Sequence, residues 1–311
     1  MSRPQILFLE TVDPAAMQLL PDDQYQISEL TNSYPDVRAV MTRGKGQVDR
    51  SLIDRCPKLE VVVRCGVGVN NIDVDYATER GVRVLNVPGV NAATVAEHTL
   101  GLMLLLVRGM YRLISEVKAG NWAYRDEYAG RELRGLQLGI IGRGDIGQRL
   151  GGAAGESGMT VRYAQHRRNG ATDELPLREL LSTSDVISLH LPLTSATREL
   201  MGTNSLGQMK VGSFLINTAR GELVNAPALL QALERGRLAG YASDLAIGEG
   251  EVAERLLARP DVLITPHAAS LTGLTYREMS ERAVQHLVDH FAGRPIPAAY
   301  RVNGVGADGG A

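Results

Sequence analysis

Gln137-Leu138-Gly139-Ile140-Ile141-Gly142-Arg143-Gly144-Asp145-Ile146-Gly147 is the stretch on which the reading of the fold turns. A strand-like apolar run enters a G-x-G-x-x-G pattern, and residues 146–154 have the composition to open a helix behind it. Glycine is 34 of 311 residues, so this spacing arises by chance roughly 0.4 times in such a chain, and context has to decide. Gly304, Gly306 and Gly309 repeat the spacing with neither strand nor helix around them. In the first match, Gly142 permits a tight turn, Gly144 lets backbone approach a pyrophosphate, and Gly147 allows helix to pack on strand. The helix N-terminus then offers free N–H groups to the phosphates. This is the pattern of a dinucleotide-binding turn.

Working outward, apolar runs at 137–141, 160–164, 186–189, 213–216, 238–241 and 262–264 alternate with helix-like stretches. An earlier series stands at 6–9, 25–27, 39–42, 59–63 and 82–85. Continuous apolar strands separated by helices predict parallel sheets covered on both faces. A long helix is expected over about 94–118, closed by Gly120, and another over 276–291. The fold class is α/β, with two doubly wound parallel-sheet domains.

Composition narrows the function. The 33 basic and 35 acidic side chains give a net charge of −2 and a pI near 6.3, which offers no electrostatic footprint for nucleic acid or an anionic membrane. Cys56 and Cys65 make neither a disulfide framework nor a zinc spacing. The greasiest run, 99–107, reaches about 14 Å as a helix, far short of a bilayer. No export signal is read at the N-terminus. The expectation is a cytoplasmic protein without membrane or nucleic-acid partners.

The cofactor is read from the strand that follows the glycine turn. An NAD site usually places a carboxylate there for the ribose hydroxyls. Here the strand runs into Gln165-His166-Arg167-Arg168, whose cations suit a 2′-phosphate. NADP(H) is therefore the preferred cofactor, with NAD(H) as the alternative.

Three polar elements stand at expected strand ends, where such sheets bind ligands. Asn217-Thr218-Ala219-Arg220-Gly221 follows one strand, Ser243-Asp244 leads to Glu249, and Thr265-Pro266-His267 ends a third. Hydride transfer to a ketone needs these groups. Histidine protonates the carbonyl oxygen, a carboxylate favours its imidazolium form, and arginine clamps a substrate carboxylate.

At these residues the sequence resembles the D-isomer-specific 2-hydroxyacid dehydrogenase family, closest to its phosphoglycerate dehydrogenase and hydroxypyruvate/glyoxylate reductase branch. Gly66-Val67-Gly68-Val69-Asn70-Asn71-Ile72-Asp73, residues 91–97 and His190-Leu191-Pro192-Leu193-Thr194 extend the resemblance over nearly the whole chain. It implies a catalytic set of Arg220, Glu249 and His267. It also implies a discontinuous, flavodoxin-like substrate domain (1–95 plus 276–311), a Rossmann cofactor domain (96–275) and a cleft between them. By resemblance, Val67, Thr218, Ala219, Asp244 and Ala269 line the nicotinamide end. Asp145 and Ile146 lie at the glycine turn, and Leu191 and Pro192 lie over the adenine side. Val67 and Gly68 meet the substrate carboxylate with Arg220, and Arg43 stands where the phosphoglycerate branch contacts an anionic substrate tail.

The chain also departs from the family. Gly250 replaces the usual proline and Leu245-Ala246 the usual valine and aromatic, which leaves Glu251 and Glu254 as alternatives to Glu249. The expected substrate is a small 2-keto or 2-hydroxy acid, with phosphoglycerate/phosphohydroxypyruvate, hydroxypyruvate and glyoxylate as candidates.

His286 and His290 share an i, i+4 spacing but lack a third ligand, so no metal is expected. A short-chain reductase is excluded because no tyrosine has lysine four residues later. The alternative of another class is a nucleotide-sensing, corepressor-like binding protein on the same fold. The helix after Glu97 carries Leu100, Leu102, Met103, Leu104, Leu105, Leu106 and Val107, apolar nearly all round, which predicts a second buried face in a homodimer.

Overall fold

Strand residues with no exposed face need cover on both sides, and this chain supplies it twice. The computed structural model describes residues 3–31, 33–164 and 172–306. It divides into two compact units, Met1–Asn91 with Leu271–Ala311, and Ala92–Ser270. The sequence expectation put the joints at 95/96 and 275/276, inside helices that begin at Ala92 and Gly273.

The first unit holds a five-stranded parallel sheet: β1 (Gln5–Phe8), β2 (Gln26–Ser28), β3 (Val37–Thr42), β4 (Val61–Arg64) and β5 (Arg83–Leu85), in the order β2-β1-β3-β4-β5. That is the flavodoxin-like order, with its switch point between β1 and β3. Successive side chains face opposite layers. Ile6, Ala39, Val61 and Val63 pack with Met279, Ala283, Val284 and Leu287 of the helix Gly273–Phe291. Leu7, Val40, Val62 and Val84 pack with Leu52, Ile53, Ile72 and Ala77 on the other face. The returning helix is thus part of this unit's core.

The second unit holds seven parallel strands: β6 (Gln137–Ile141), β7 (Thr160–Ala164), β8 (Glu174–Leu175), β9 (Val186–Leu189), β10 (Ser213–Asn217), β11 (Leu238–Ser243) and β12 (Val262–Ile264). Their order is β12-β11-β10-β9-β6-β7-β8, so the winding reverses between β6 and β9. Strands β9 and β10 are buried along their whole length, which explains the apolar runs Val186-Ile187 and Phe214-Leu215-Ile216 within them. Strand β8 was not anticipated; two residues carry no periodicity to read.

The expected long helix is two. Ala92–Val107 stops, Gly109 takes a φ of 57°, and Met110–Lys118 starts anew. Glycine enters this left-handed region without a Cβ penalty and so ends the helix. The first helix buries Leu102, Met103, Leu106 and Val107, while Leu100, Leu104 and Leu105 are partly buried against the same core. The second buries nothing and exposes Met110, Tyr111, Ile114 and Val117. No described helix is long and apolar enough to cross a membrane.

Candidate active site

The glycine turn sits at the switch point of the second sheet. Gly142 follows β6 with a φ of 111°, and a Cβ there would collide with the His190 carbonyl beyond β9. A Cβ on Gly147 would strike the Gly142 carbonyl. Gly144 is different, because a Cβ there meets nothing within 4 Å. It caps the helix Asp145–Glu156 without a side-chain hydrogen bond, which leaves the first-turn N–H groups open at this end. Two glycines are required by packing and one leaves room for a ligand, so this cradle fits a dinucleotide pyrophosphate.

Around the turn, Asp145 and Ile146 open the helix, and Leu191 is half-buried against the core beside exposed Pro192. Arg143 donates to both Asp173 oxygens at 2.7 and 3.0 Å and lies over the Tyr163 ring at 4.4 Å. Gln165, His166, Arg167 and Arg168, on which the NADP(H) expectation rests, lie outside the described residues.

Beyond β10, Asn217 shapes the arginine turn. Its side chain donates to the Arg220 carbonyl at 2.8 Å and accepts the Ala219 N–H at 3.0 Å. The Thr218 hydroxyl lies 2.9 Å from that of Thr99. Arg220 is half-buried, with one guanidinium nitrogen donating to the Ala219 carbonyl at 2.6 Å. Burial pushes this guanidinium below its ordinary pKa, with Glu222 pulling it back up. A partly dried cation of this kind gains from an anionic ligand.

Beyond β11 and β12, Asp244 organises the histidine loop. The carboxylate is 3% exposed; Oδ1 accepts the Thr265 hydroxyl at 2.6 Å and the Ala268 N–H at 2.8 Å, and Oδ2 accepts the Ala269 N–H at 2.8 Å. Between them His267 is exposed and holds a φ of 57°, unusual for a residue with a Cβ.

Glu249 is exposed at the N-terminus of the helix Gly250–Leu257, bordering a hollow lined by Gly221, Glu222, Leu245 and Ala246. Gly248 and Gly250 on either side have φ values of 62° and 56°. Proline, fixed near −65°, cannot take the conformation that Gly250 holds here. Glu251 lies in the first helical turn and points along it, 3.9 Å from Arg255. Arg220, Glu249 and His267 follow three adjacent strands at their carboxyl ends.

In the first unit, Arg43 directly follows β3 and places its guanidinium 5.1 Å from the centre of the Tyr276 ring. Val67 and Gly68 lie in the loop after β4; Val67 is exposed, and its carbonyl accepts from Asn86 at 2.8 Å. Glu10, after β1, accepts the backbone N–H groups of Arg43, Gly44, Lys45 and Gly46 at 2.7 to 3.1 Å. Burial alone would raise its pKa, but these four donors outweigh it and hold the carboxyl at about 2.

Residues 100–269 match the profile of D-isomer specific 2-hydroxyacid dehydrogenase, NAD binding domain, which is more than half of the chain. The chain belongs to the D-isomer-specific 2-hydroxyacid dehydrogenase family. It is 35% identical over 320 residues to glyoxylate reductase of Aeropyrum pernix, with 96% of each chain covered. It is 33% identical to D-3-phosphoglycerate dehydrogenase of Bacillus subtilis over 89% of its own length, spanning 54% of that enzyme. Among solved structures it is similar to the NADPH-dependent glyoxylate/hydroxypyruvate reductase of Sinorhizobium meliloti in complex with NADP and malonate. That likeness has a TM-score of 0.84 at 28% identity and covers 98% of this chain and 100% of the other. As a member of this family the chain is a 2-hydroxyacid dehydrogenase, an NAD(P)-dependent oxidoreductase. The corepressor-like alternative is not favoured.

Two site features escaped the sequence. His98, on the helix Ala92–Val107, places Nε2 3.0 Å from the Thr265 hydroxyl and 3.8 Å from Asp244. Glu10 lies more than thirty positions from the loop it holds. Neither stands in a spaced motif; only the packing of the folded chain brings them to their partners. Among the described residues no cluster of three metal-ligating side chains exists. His290 faces Glu60 at 3.4 Å, and His286 packs on Tyr300 with ring centroids 4.6 Å apart.

Proposed function

We propose that the protein reduces a small 2-keto acid to the D-2-hydroxy acid, with hydroxypyruvate, glyoxylate and phosphohydroxypyruvate as the candidate substrates. Bound NAD(P)H supplies the hydride. Arg220 binds the substrate carboxylate in bidentate fashion and polarises the adjacent carbonyl. His267 gives a proton to the carbonyl oxygen as the alcohol forms, and Glu249 favours its imidazolium form. The observation that carries this reading is the partly desolvated Arg220 beyond β10 and the clamped His267 loop beyond β12, at the carboxyl edge of one sheet.

In this reading the second unit is the cofactor domain. Gly142, Gly144, Asp145, Ile146 and Gly147 cradle the pyrophosphate, Leu191 and Pro192 cover the adenine side, and Thr218, Ala219, Asp244 and Ala269 line the nicotinamide end. The first unit is the substrate domain, offering Val67 and Gly68 to the carboxylate and Arg43 to an anionic tail. Val67 also borders the nicotinamide. NADP(H) is preferred through Gln165, His166, Arg167 and Arg168, with NAD(H) as the alternative. Glu249 is favoured over Glu251 because Glu251 is directed at Arg255.

The residues Leu100 to Val107, on which the dimer expectation rested, pack on their own unit's core, so the proposed homodimer face is instead the helix Met110–Lys118, whose exposed Met110, Tyr111, Ile114 and Val117 recur at helical spacing. A cytoplasmic location fits the two free thiols, Cys56 and Cys65, both buried. Following cofactor oxidation with glyoxylate, hydroxypyruvate, phosphohydroxypyruvate, pyruvate and bulkier 2-keto acids tests the proposal. Turnover with at least one small acid is expected, and none with any of them would overturn it.

A further inference from the structure

We propose that His98 is a positioning residue for the reaction, acting through Thr265 and Asp244 on the loop that carries His267. The inference rests on the reading of His267 as the proton donor. Its basis is the direction of the hydrogen bonds. The Thr265 hydroxyl has one proton and lies 2.6 Å from Asp244 Oδ1, against 3.4 Å from the Ser243 carbonyl. An ionised carboxylate only accepts, so the hydroxyl proton goes to Asp244. The hydroxyl oxygen is then the acceptor for His98 Nε2 at 3.0 Å, which fixes the Nε2–H tautomer of His98.

The relay ends on backbone. Asp244 spends Oδ1 on Thr265 and Ala268 and Oδ2 on Ala269, gripping the chain on both sides of His267. The Thr265 N–H donates to the Ser243 carbonyl at 2.9 Å, and the His267 N–H donates to the Thr265 carbonyl at 3.0 Å. His267 itself sits at a φ of 57°, a conformation that persists only where the surroundings enforce it. Without His98 the Thr265 hydroxyl loses its donor and is free to rotate off Asp244, so the grip on Ala268 and Ala269 loosens. The side chain of Asp244 is only 3% exposed, so its carboxylate depends on these protein donors rather than on solvent.

The test compares His98→Ala, which removes the donor, with His98→Gln, whose amide N–H reaches a similar position. Thr265→Val breaks the same relay at its middle link. Two readouts are taken: kcat with the best 2-keto acid, and amide hydrogen exchange over residues 265–270. His98→Ala and Thr265→Val are each expected to lower kcat about tenfold and speed exchange about tenfold. Combining them should add little, and His98→Gln should restore both readouts to within about threefold of wild type. Wild-type exchange in His98→Ala, or equal damage in His98→Gln, would overturn the proposal. If His98→Ala does not fold, Thr265→Val against His98→Gln decides on the same criteria. Exchange needs no turnover, so it reports on the relay even if His267→Gln shows that the proton donor lies elsewhere.

Discussion

The Asp244 carboxylate accepts the N–H of Ala268 at 2.8 Å, one residue beyond His267. A buried side chain from the end of one strand thereby sets the backbone of the loop that ends the next. Replacing Asp244 with Asn sets an amide N–H against donors, either the Ala269 N–H or the Ala268 N–H and Thr265 hydroxyl. A buried donor left unpaired costs about 1–3 kcal/mol. Asp244→Asn is expected to lower stability to urea by that amount and kcat by at least tenfold. Unchanged stability and kcat would show that the clamp is not needed.

The acid side of the stability profile has two separate limbs. Desolvation pushes His190 down from 6.5 to about 4, with Ser188 2.8 Å from its Nε2. Between those values the unfolded chain binds a proton that the folded chain does not, so stability is lost as pH falls from 6.5 to 4. At about 1.4 kcal/mol per pH unit the loss is on the order of 3 kcal/mol. His286 and His290 are shifted the same way by burial and add to the slope. Glu10, held at about 2 against an ordinary 4.5, gives a second limb, with stability present above 4.5 and lost as pH falls towards 2. Urea melts across this range should show a shallower upper limb in His190→Gln and a shallower lower limb in Glu10→Gln.

The strands were legible because their burial is total. Val61 to Val63 and Phe214 to Ile216 have no polar residue to interrupt them. The break at Gly109 was not legible, because Met110, Ile114 and Val117 continue the apolar spacing past it. The positions of Arg220 and His267 just beyond the carboxyl ends of β10 and β12 were legible because each follows a buried apolar strand. His98 was not, since its partners Thr265 and Asp244 are well over a hundred positions away and meet it only once the helix Ala92–Val107 has packed on the sheet. Gly250 was recognised as a departure, but that it takes a conformation proline cannot adopt is visible only in the backbone.

Cofactor choice gives a third prediction. If Arg167 and Arg168 bind a 2′-phosphate, Arg167→Ala and Arg168→Ala should raise KM for NADPH and leave that for NADH nearly unchanged. A wild-type preference for NADPH of roughly 10–100-fold is expected from one or two charge-assisted bonds. Gln165→Asp should erode it by setting a carboxylate against the phosphate. Equal or better kcat/KM with NADH in the wild type would count against this reading.

For assembly, Ile114→Asp should separate the subunits by burying a charge at the proposed interface. Sedimentation should show the wild type at twice the 33.6 kDa chain mass and the variant at the chain mass. A wild type that sediments as a single chain at micromolar concentration would rule the dimer out.

The central claim, proton donation by His267 to a 2-keto acid held by Arg220, is tested most directly by steady-state turnover of His267→Gln. With the best substrate of the keto-acid panel, kcat is expected to fall by at least ~10²-fold while the variant still binds reduced cofactor as the wild type does. Turnover within a few-fold of wild type would contradict the account.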